Sequence, residues 1–297
     1  MPQTMKGVLA PVVTPFVDGR PDRARLSAHC RWLLDRDCGL AVFGTNSEGN
    51  SLSVPEKIDL IDALIEDGLD PARMMPGAGA CALPDAIALC KHIAAKGCGG
   101  ALTLPPFYYK DVSDDGIFAF FADLIDGVGD ANLAIYLYHI PPIAGVGFSL
   151  DLIERLIAGF PDTVRGIKDS GRDDTNTFAM LERFPGWGVF PGNETNLPAF
   201  MKAGAVGTIS ATCNVNAAGI VDVYKNFDAP DADVRLKRAN TVRGTFSRWP
   251  MISAMKAAIA HFRDDPAWAA VRPPLLALPE SEAEALLAAL KEIDYTL

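Results

Sequence analysis

The chain has 297 residues, of which 49% are hydrophobic and 22% charged, a composition typical of a globular protein that buries a core without disulfides or metal ions. Its 37 acidic and 27 basic residues give a net charge of −10, which disfavours binding to the phosphate backbone of nucleic acids. The six cysteines form no Cys-x-x-Cys pair, so a zinc ribbon or disulfide scaffold is not expected and a reducing compartment fits.

Eight short apolar runs alternate with amphipathic helical segments in the first three quarters of the chain. Apolar runs between helices are typical of buried parallel strands, and eight such units over about 220 residues fit a closed (β/α)8 barrel better than an open doubly wound sheet. The predicted strands are residues 7–13, 40–43, 74–78, 100–104, 133–138, 164–168, 188–190 and 207–210. The predicted helices are residues 23–37, 55–66, 84–96, 116–125, 150–157, 175–183, 196–203 and 217–224, and the second of them starts at a capping box, Ser53-Val54-Pro55-Glu56.

The segment after residue 225 has no strand pattern. It predicts helices over residues 234–262, broken at Trp249-Pro250, and a last helix over 281–293. We therefore predict an α/β protein: a TIM barrel over residues 1–225 followed by a C-terminal helical domain over residues 226–297.

Neither membrane insertion nor export is expected from the sequence. No stretch approaches the about 18 uninterrupted apolar residues of a transmembrane helix. The N-terminus lacks the basic region and apolar core of a signal peptide. We predict a cytoplasmic protein that binds neither nucleic acid nor membranes.

Lys168 is the strongest single catalytic candidate. It ends the sixth apolar run, and in barrels of this class the catalytic side chains follow the carboxyl ends of strands. Burial favours the neutral amine, which attacks ketones and forms a Schiff base. The alternative is a structural ion pair with Asp169 or Asp173.

Hydroxyl groups at other strand ends are candidates for proton transfer. Tyr138 follows the fifth run, Tyr108 the fourth and Thr45 the second, although each tyrosine also fits an aromatic residue at the edge of the core. The loop 44–49 has glycine ends and small polar residues, so its backbone amides are suited either to binding a carboxylate or to a simple tight turn. His139 has no nearby nucleophile motif, and we interpret it as a hydrogen-bonded structural residue.

Other chemistries find little support. No His/carboxylate cluster has metal-ligand spacing, and no Gly-x-Gly-x-x-Gly follows the first strand. We predict neither a metal nor a cofactor.

Taken together, these motifs resemble the dihydrodipicolinate synthase / N-acetylneuraminate lyase family of pyruvate-type class I aldolases. The resemblance extends from Gly7 to Leu275, nearly the whole chain. The motifs that carry it are Gly44-Thr45 with Glu48, Pro106-Phe107-Tyr108-Tyr109, Tyr138 with Pro141, Gly166-Ile167-Lys168-Asp169-Ser170 and Gly204-Ala205-Val206-Gly207-Thr208-Ile209-Ser210.

The resemblance implies a role for each matching residue. Lys168 would form the Schiff base and Tyr138 would be the acid/base residue. Thr45 would link Tyr138 to Tyr108, which in the family usually comes from a neighbouring subunit of a homotetramer, a dimer of dimers. The substrate-binding positions would be Asn46, whose amide with that of Thr45 holds the keto-acid carboxylate, the adjacent Ser47, and Ile209, which lines the site.

Departures from the family pattern bear on the second substrate. The synthase branch has an arginine five residues after the catalytic tyrosine to grip a carboxylate, but this chain has Ile143 there. Glu194 is suited to accepting hydrogen bonds from polyol hydroxyls, or alternatively is a residue of a first helical turn.

We therefore predict a Schiff-base-forming lyase, aldolase or dehydratase, that acts on pyruvate or a 2-keto-3-deoxy sugar acid. Two alternatives remain open. One is 4-hydroxy-tetrahydrodipicolinate (dihydrodipicolinate) synthase, with Arg172 or Lys110 replacing the missing arginine, and the other is a non-catalytic barrel that binds a keto acid.

Overall fold

The structure is a computed structural model that describes residues 4–297. Seven of the eight predicted barrel strands form in this part of the chain. The strands are β1 Gly7–Ala10, β2 Phe16–Val17, β3 Arg20–Pro21, β4 Gly39–Leu40, β5 Ala101–Thr103, β6 Ile135–His139, β7 Val164–Asp169, β8 Gly188–Pro191 and β9 Gly207–Ile209. The α-helices are α1 Arg23–Leu34, α2 Val54–Glu66, α3 Leu83–Ala95, α4 Asp114–Val128, α5 Pro141–Ala144, α6 Leu150–Gly159, α7 Asp174–Arg183, α8 Leu197–Lys202, α9 Cys213–Lys225, α10 Ala232–Phe246, α11 Met251–Phe262 and α12 Glu280–Glu292.

The strands close into a parallel barrel, which confirms the predicted fold class. The barrel strands form two sheets, with the orders β4-β1-β9 and β5-β6-β7-β8, and β2 and β3 form a separate antiparallel pair. On one side, residues 74–78 bridge the sheets: Met75 N donates to Leu40 O (2.7 Å) and Ala78 N to Leu102 O (2.9 Å). On the other side, Val206 N donates to Val189 O (3.1 Å).

The third predicted strand, residues 74–78, is reduced to isolated bridges at Met74 and Gly77. Pro76 in its middle has no N–H to donate, and only its carbonyl takes part, accepting from Leu102 N at 2.9 Å. The segment occupies the place of a strand without a continuous ladder.

Side chains that point into the barrel form a cluster of their own. Tyr136 and Tyr138 on β6, Phe190 on β8 and Ile209 on β9 all belong to it. Gly166 on the neighbouring strand β7 gives the Tyr136 ring its space, because a Cβ atom there would lie 2.8 Å from Tyr136 Cδ1. The carboxyl end of the barrel therefore rests on a filled interior.

The helices after the barrel pack against it. Phe246, Met255 and Trp268 share a buried cluster with Val13 and Val215 of the barrel segment. The predicted boundary at 225/226 coincides with the end of α9, and the division into two domains stays a prediction. Within residues 4–297, no helix is both long and apolar enough to span a membrane.

Two short elements were not predicted. The β2–β3 hairpin turns at Asp18 and Gly19, both with positive φ (49° and 73°), the Asp-Gly pairing typical of two-residue hairpin turns. Helix α5 follows β6 closely, extends from Pro141 to Ala144 and is capped by Gly145, whose φ is +67°. The predicted capping box is confirmed: Glu56 N donates to Ser53 Oγ (3.3 Å) and Ser53 N to Glu56 Oε2 (2.8 Å).

Glu56 also ties the C-terminal segment to the barrel, because the Arg272 guanidinium binds both of its carboxylate oxygens, at 2.7 and 3.0 Å. That hydrogen-bonded cation lowers the pKa of Glu56 to about 2, against about 4.3 in an unfolded chain. A depressed carboxyl pKa stabilises the fold above the unfolded value, and the contribution is lost as the pH falls towards the folded value.

Glu56→Gln should therefore lower the free energy of unfolding by about 1 kcal/mol at neutral pH, since solvent screens a partly exposed pair. Urea titrations should show a constant difference from wild type between pH 7 and about 5, which then shrinks at lower pH. Glu292→Gln, an exposed carboxylate without an ion pair in the described chain, is the control. A difference that does not change with pH would contradict the assignment.

Candidate active site

Lys168 and Tyr138 lie opposite one another on the adjacent strands β7 and β6. Lys168 is 2% exposed, and its Nζ donates to the Tyr138 hydroxyl at 3.1 Å. Nζ also lies 4.2 Å from the centroid of the Tyr138 ring. The parallel register brings these two strand-end side chains together.

The acidic neighbours of Lys168 in the sequence are engaged elsewhere. The Asp169 carboxylate accepts from Gly171 N (2.9 Å), Asn176 Nδ2 (3.1 Å) and Thr177 Oγ1 (2.7 Å). Asp173 caps helix α7. Among the residues described, no carboxylate forms an ion pair with Lys168, so the alternative of a structural ion pair finds no support in these contacts.

Thr45 extends the hydrogen-bonded chain. Its Oγ1 lies 3.1 Å from the Tyr138 hydroxyl, which therefore contacts an amine on one side and an alcohol on the other. Thr45 opens the 3-10 turn Thr45–Ser47, and in the described part of the chain the amides of Thr45 and Asn46 have no hydrogen-bond acceptor. These two N–H groups are therefore available to bind the carboxylate of a substrate.

A buried ion pair holds this turn from behind. Glu48, whose φ of 55° is left-handed, accepts from Lys256 Nζ (2.7 Å) and from the amide of Arg272 (2.8 Å). Neither charged side chain is exposed, and Lys256 Nζ also donates to Thr14 O at 2.8 Å. Burial lowers the pKa of Lys256, and the attraction of Glu48 opposes that shift. Helix α11 thereby fixes the loop that carries Thr45.

The cavity above this group has a volume of about 330 Å³. Barrel residues Thr45, Asn46, Tyr138 and Lys168 form one part of its wall. The C-terminal segment forms another part, and its lining residues are Arg243, Pro250, Met251, Ile252, Ser253 and Leu275. The cavity is thus built by both parts of the chain.

The other predicted substrate-binding residues have different positions. Asn46 lines the cavity, whereas Ile209 lies buried in the barrel interior beside Tyr138. Ser47 is buried outside the lining; its carbonyl accepts from Thr14 Oγ1 (2.7 Å), and its hydroxyl has no partner in the described chain.

Glu194 is fully buried and also lies outside the cavity lining. Its carboxylate accepts from the hydroxyls of Ser210 and Thr212 and from Arg243 Nη1 at 3.1 Å. Protein donors thus surround the group that we expected to receive polyol hydroxyls. Arg243 itself was missed, because it lies on a helix far from any strand end and has no local motif.

Tyr108 is not brought to the Lys168 group of its own chain. Its side chain is 74% exposed, and its ring packs edge-on against Tyr109 with 5.3 Å between centroids. A monomer with this geometry leaves Thr45 without the predicted second tyrosine.

His139 has a structural contact. Its Nδ1 accepts from Phe148 N at 3.0 Å, and burial lowers the pKa of this imidazole. In residues 4–297, no group of three or more His, Cys, Asp or Glu side chains is placed to hold a metal ion.

The sequence model of one family matches residues 4–293, and its description is the dihydrodipicolinate synthetase family. The chain belongs to this family. The predicted resemblance is confirmed.

Known proteins are similar to this chain over most of their length. An uncharacterised DapA-like lyase of Chloroflexus aurantiacus is 30% identical, covering 97% of each chain. A 4-hydroxy-tetrahydrodipicolinate synthase of Thermus thermophilus is 32% identical over 70% of this chain and 69% of its own. The crystal structure of a dihydrodipicolinate synthase from Agrobacterium tumefaciens superposes with a TM-score of 0.90 at 28% identity, covering 97% of this chain and 99% of the other.

Membership in the dihydrodipicolinate synthetase family makes the protein an enzyme, a class I lyase of the Schiff-base-forming type. The non-catalytic alternative is therefore wrong. The two cations considered as replacements for the missing arginine differ in position. Arg172 lines the cavity together with Ile143, whereas Lys110 Nζ donates to the carbonyls of Phe107 and Ala144 (2.7 Å for Ala144) and lies outside the lining.

Proposed function

We propose that Lys168 forms an imine with the ketone carbon of pyruvate or of a 2-keto-3-deoxy sugar acid. The protein then cleaves or forms a bond to the pyruvate-derived enamine. The observation that carries this proposal is the contact of a buried, carboxylate-free Lys168 amine with the Tyr138 hydroxyl at 3.1 Å. A lysine amine that is paired with no carboxylate and lies at the cavity is placed to attack a bound ketone.

The keto acid is held by its carboxylate at the amides of Thr45 and Asn46, which have no other acceptor in the described chain. Two oriented N–H donors in a partly dry site bind an anion well and fix the ketone carbon next to Nζ. Asn46 and Thr45 then belong to the same wall of the cavity as Lys168.

Tyr138 moves the protons. The Lys168 amine adds to C2, Tyr138 gives its proton to the carbinolamine hydroxyl, which leaves as water, and a protonated imine remains beside the Tyr138 phenolate. In aldol cleavage, the C4 hydroxyl gives its proton to this phenolate, the C3–C4 bond breaks and its electron pair enters the imine to form the enamine. Tyr138 then protonates C3, and hydrolysis of the imine releases pyruvate and the free amine and returns a proton to Tyr138. In dehydration, the same imine gives its C3 proton to the phenolate, and the C4 hydroxyl leaves as water with the proton that Tyr138 donates, so one site serves both reactions.

The Schiff base is tested by borohydride trapping. Pyruvate with borohydride should add one reduced pyruvate to the wild-type mass, mapped to Lys168, and Lys168→Ala should show no adduct while circular dichroism shows an intact fold. Lys202→Ala, at an exposed lysine, is the matched control and should trap normally. An adduct on the Lys168→Ala protein at another lysine would refute the assignment.

The proton-transfer role is tested by Tyr138→Phe. Turnover should fall by about 10²–10⁴-fold, the usual contribution of a general acid/base, while the trapped imine still forms. Tyr136→Phe is the control, because Tyr136 lies two residues earlier on the same inward face and its hydroxyl contacts Met5 N instead. Equal turnover of the Tyr138→Phe and wild-type enzymes would end the proposal.

We also propose that Tyr108 reaches Thr45 of a neighbouring subunit in a homotetramer. The 74% exposure of Tyr108 and the exposed Tyr109 beside it support an assembly in which this loop is covered. We further propose that the protein is located in the cytoplasm. The six cysteines form no disulfide, and five of them are buried, which supports a reducing compartment.

Mixed oligomers test whether Tyr108 serves the site of a neighbouring subunit. Lys168→Ala and Tyr108→Phe proteins should each be slow alone, but co-expressed hybrids should recover part of the wild-type turnover. The Tyr108→Phe subunit keeps its lysine and receives tyrosine from its partner. Light scattering should give four times the 31.7 kDa chain mass. Hybrids as slow as the parents would contradict the transfer, and Tyr109→Phe is the control.

The lysine-pathway synthase is the second candidate. Arg172 in the cavity lining and the similarity to the Thermus thermophilus synthase favour it, whereas Ile143 offers no donor. Comparing turnover of pyruvate with aspartate semialdehyde against cleavage of 2-keto-3-deoxy sugar acids separates the two candidates.

A further inference from the structure

Two arginines line the cavity in a protein with a net charge of −10. They are Arg172 and Arg243, and none of the described lining residues is acidic. Of the basic residues in the lining, the proposed chemistry uses only Lys168. Two guanidinium groups remain at the wall of a site whose keto-acid carboxylate already has its amide donors, so the cavity contains more cationic groups than a single carboxylate requires.

Three of the five N–H donors of Arg243 have no acceptor in the described chain. All its described hydrogen bonds use Nη1, which donates to Glu194 Oε2 (3.1 Å), Ser210 Oγ (3.2 Å) and Thr212 Oγ1 (3.4 Å). Nη2 and Nε donate to no atom of residues 4–297. A guanidinium presents five donors in a rigid plane, and anchoring one nitrogen orients the others.

Glu194 serves as the anchor. Its carboxylate is fully buried, while the Arg243 side chain is 22% exposed. The negative charge therefore lies on the buried side of Arg243, and Arg243 lines the cavity, where Arg172 adds a second, exposed cation. This arrangement fits a bidentate contact with a carboxylate or phosphate.

We propose that Arg243, positioned by Glu194 and assisted by Arg172, binds a second anionic group at the far end of the substrate. The substrate is then a 2-keto acid that ends in a carboxylate or a phosphate, not in a neutral hydroxymethyl group. This inference rests on the proposed function, because it takes Lys168 as the position of the ketone carbon. It also gives Glu194 a role as a positioning residue.

Binding to the Lys168→Ala protein tests the subsite without the imine. Three six-carbon 2-keto-3-deoxy acids are compared by calorimetry: one ending in CH2OH, its 6-phosphate, and the diacid ending in a carboxylate. At least one anionic-ended acid should bind about 10²-fold more tightly than the neutral one, and Arg243→Met should remove that preference. The better of the two anionic acids identifies the group.

Further variants keep the result interpretable. Arg243→Met leaves Glu194 buried without its cation, so Arg243→Met/Glu194→Gln restores the balance of charge, and it should show the same loss of preference. Arg172→Met should weaken the binding of the anionic acid less than Arg243→Met does. Arg248→Met, which removes an arginine that stacks on Trp249 outside the lining, should bind like the parent.

The outcomes separate the two proposals. Equal affinity for neutral and anionic acids, or a preference that survives both Arg243 variants, would overturn the distal subsite. Failure of wild-type protein to trap pyruvate at Lys168 would overturn the proposed function, while the affinities measured with Lys168→Ala would still decide the subsite.

Discussion

The active site depends on one buried ion pair, Lys256–Glu48, that joins helix α11 to the turn after the second barrel strand. Removing two charges from water is costly, and such a pair often adds little net stability. The role of this pair is to fix the geometry of the turn that Glu48 ends. Glu48 holds a left-handed backbone conformation with a fully used carboxylate, and the turn it ends presents Thr45 and Asn46 to the cavity. The C-terminal helices therefore hold the loop that carries Thr45 and Asn46.

The same helices also complete the substrate cavity. Helix α10 brings Arg243 to its wall, and the start of α11 brings Met251 and Ser253. A barrel without this segment would present Lys168 and Tyr138 at an open mouth. In the proposed mechanism, these helices limit the access of water to the imine, which water would otherwise hydrolyse early. In that proposal the strand ends carry the chemistry, and the helices that follow the barrel give the far wall its shape and charge.

The sequence predicts the barrel and its reactive pair well, because both follow from local pattern. Apolar runs between amphipathic helices define the strands, and parallel strands place Lys168 beside Tyr138 whatever the details of the loops. Contacts between distant segments carry no such pattern. Arg243 lies 49 residues after Glu194 on a helix with no strand-end signal, and only the fold shows that they meet. The third predicted strand fails for a local reason that the apolar pattern did not register: Pro76 has no N–H to donate, and the ladder is interrupted there.

The position of the Tyr138 hydroxyl supports the proposal that one residue serves every step. It lies 3.1 Å from the Lys168 amine and 3.1 Å from the Thr45 hydroxyl. In the proposed mechanism it gives its proton to the carbinolamine hydroxyl and takes one from the C4 hydroxyl, and the Thr45 hydroxyl is placed to donate a hydrogen bond to the phenolate formed in between. Carbinolamine collapse, bond cleavage and hydrolysis each need a proton to arrive or leave within this small volume. A single phenol between an amine and an alcohol supplies that movement without rearranging the backbone, because strands β6 and β7 fix both ends of the contact.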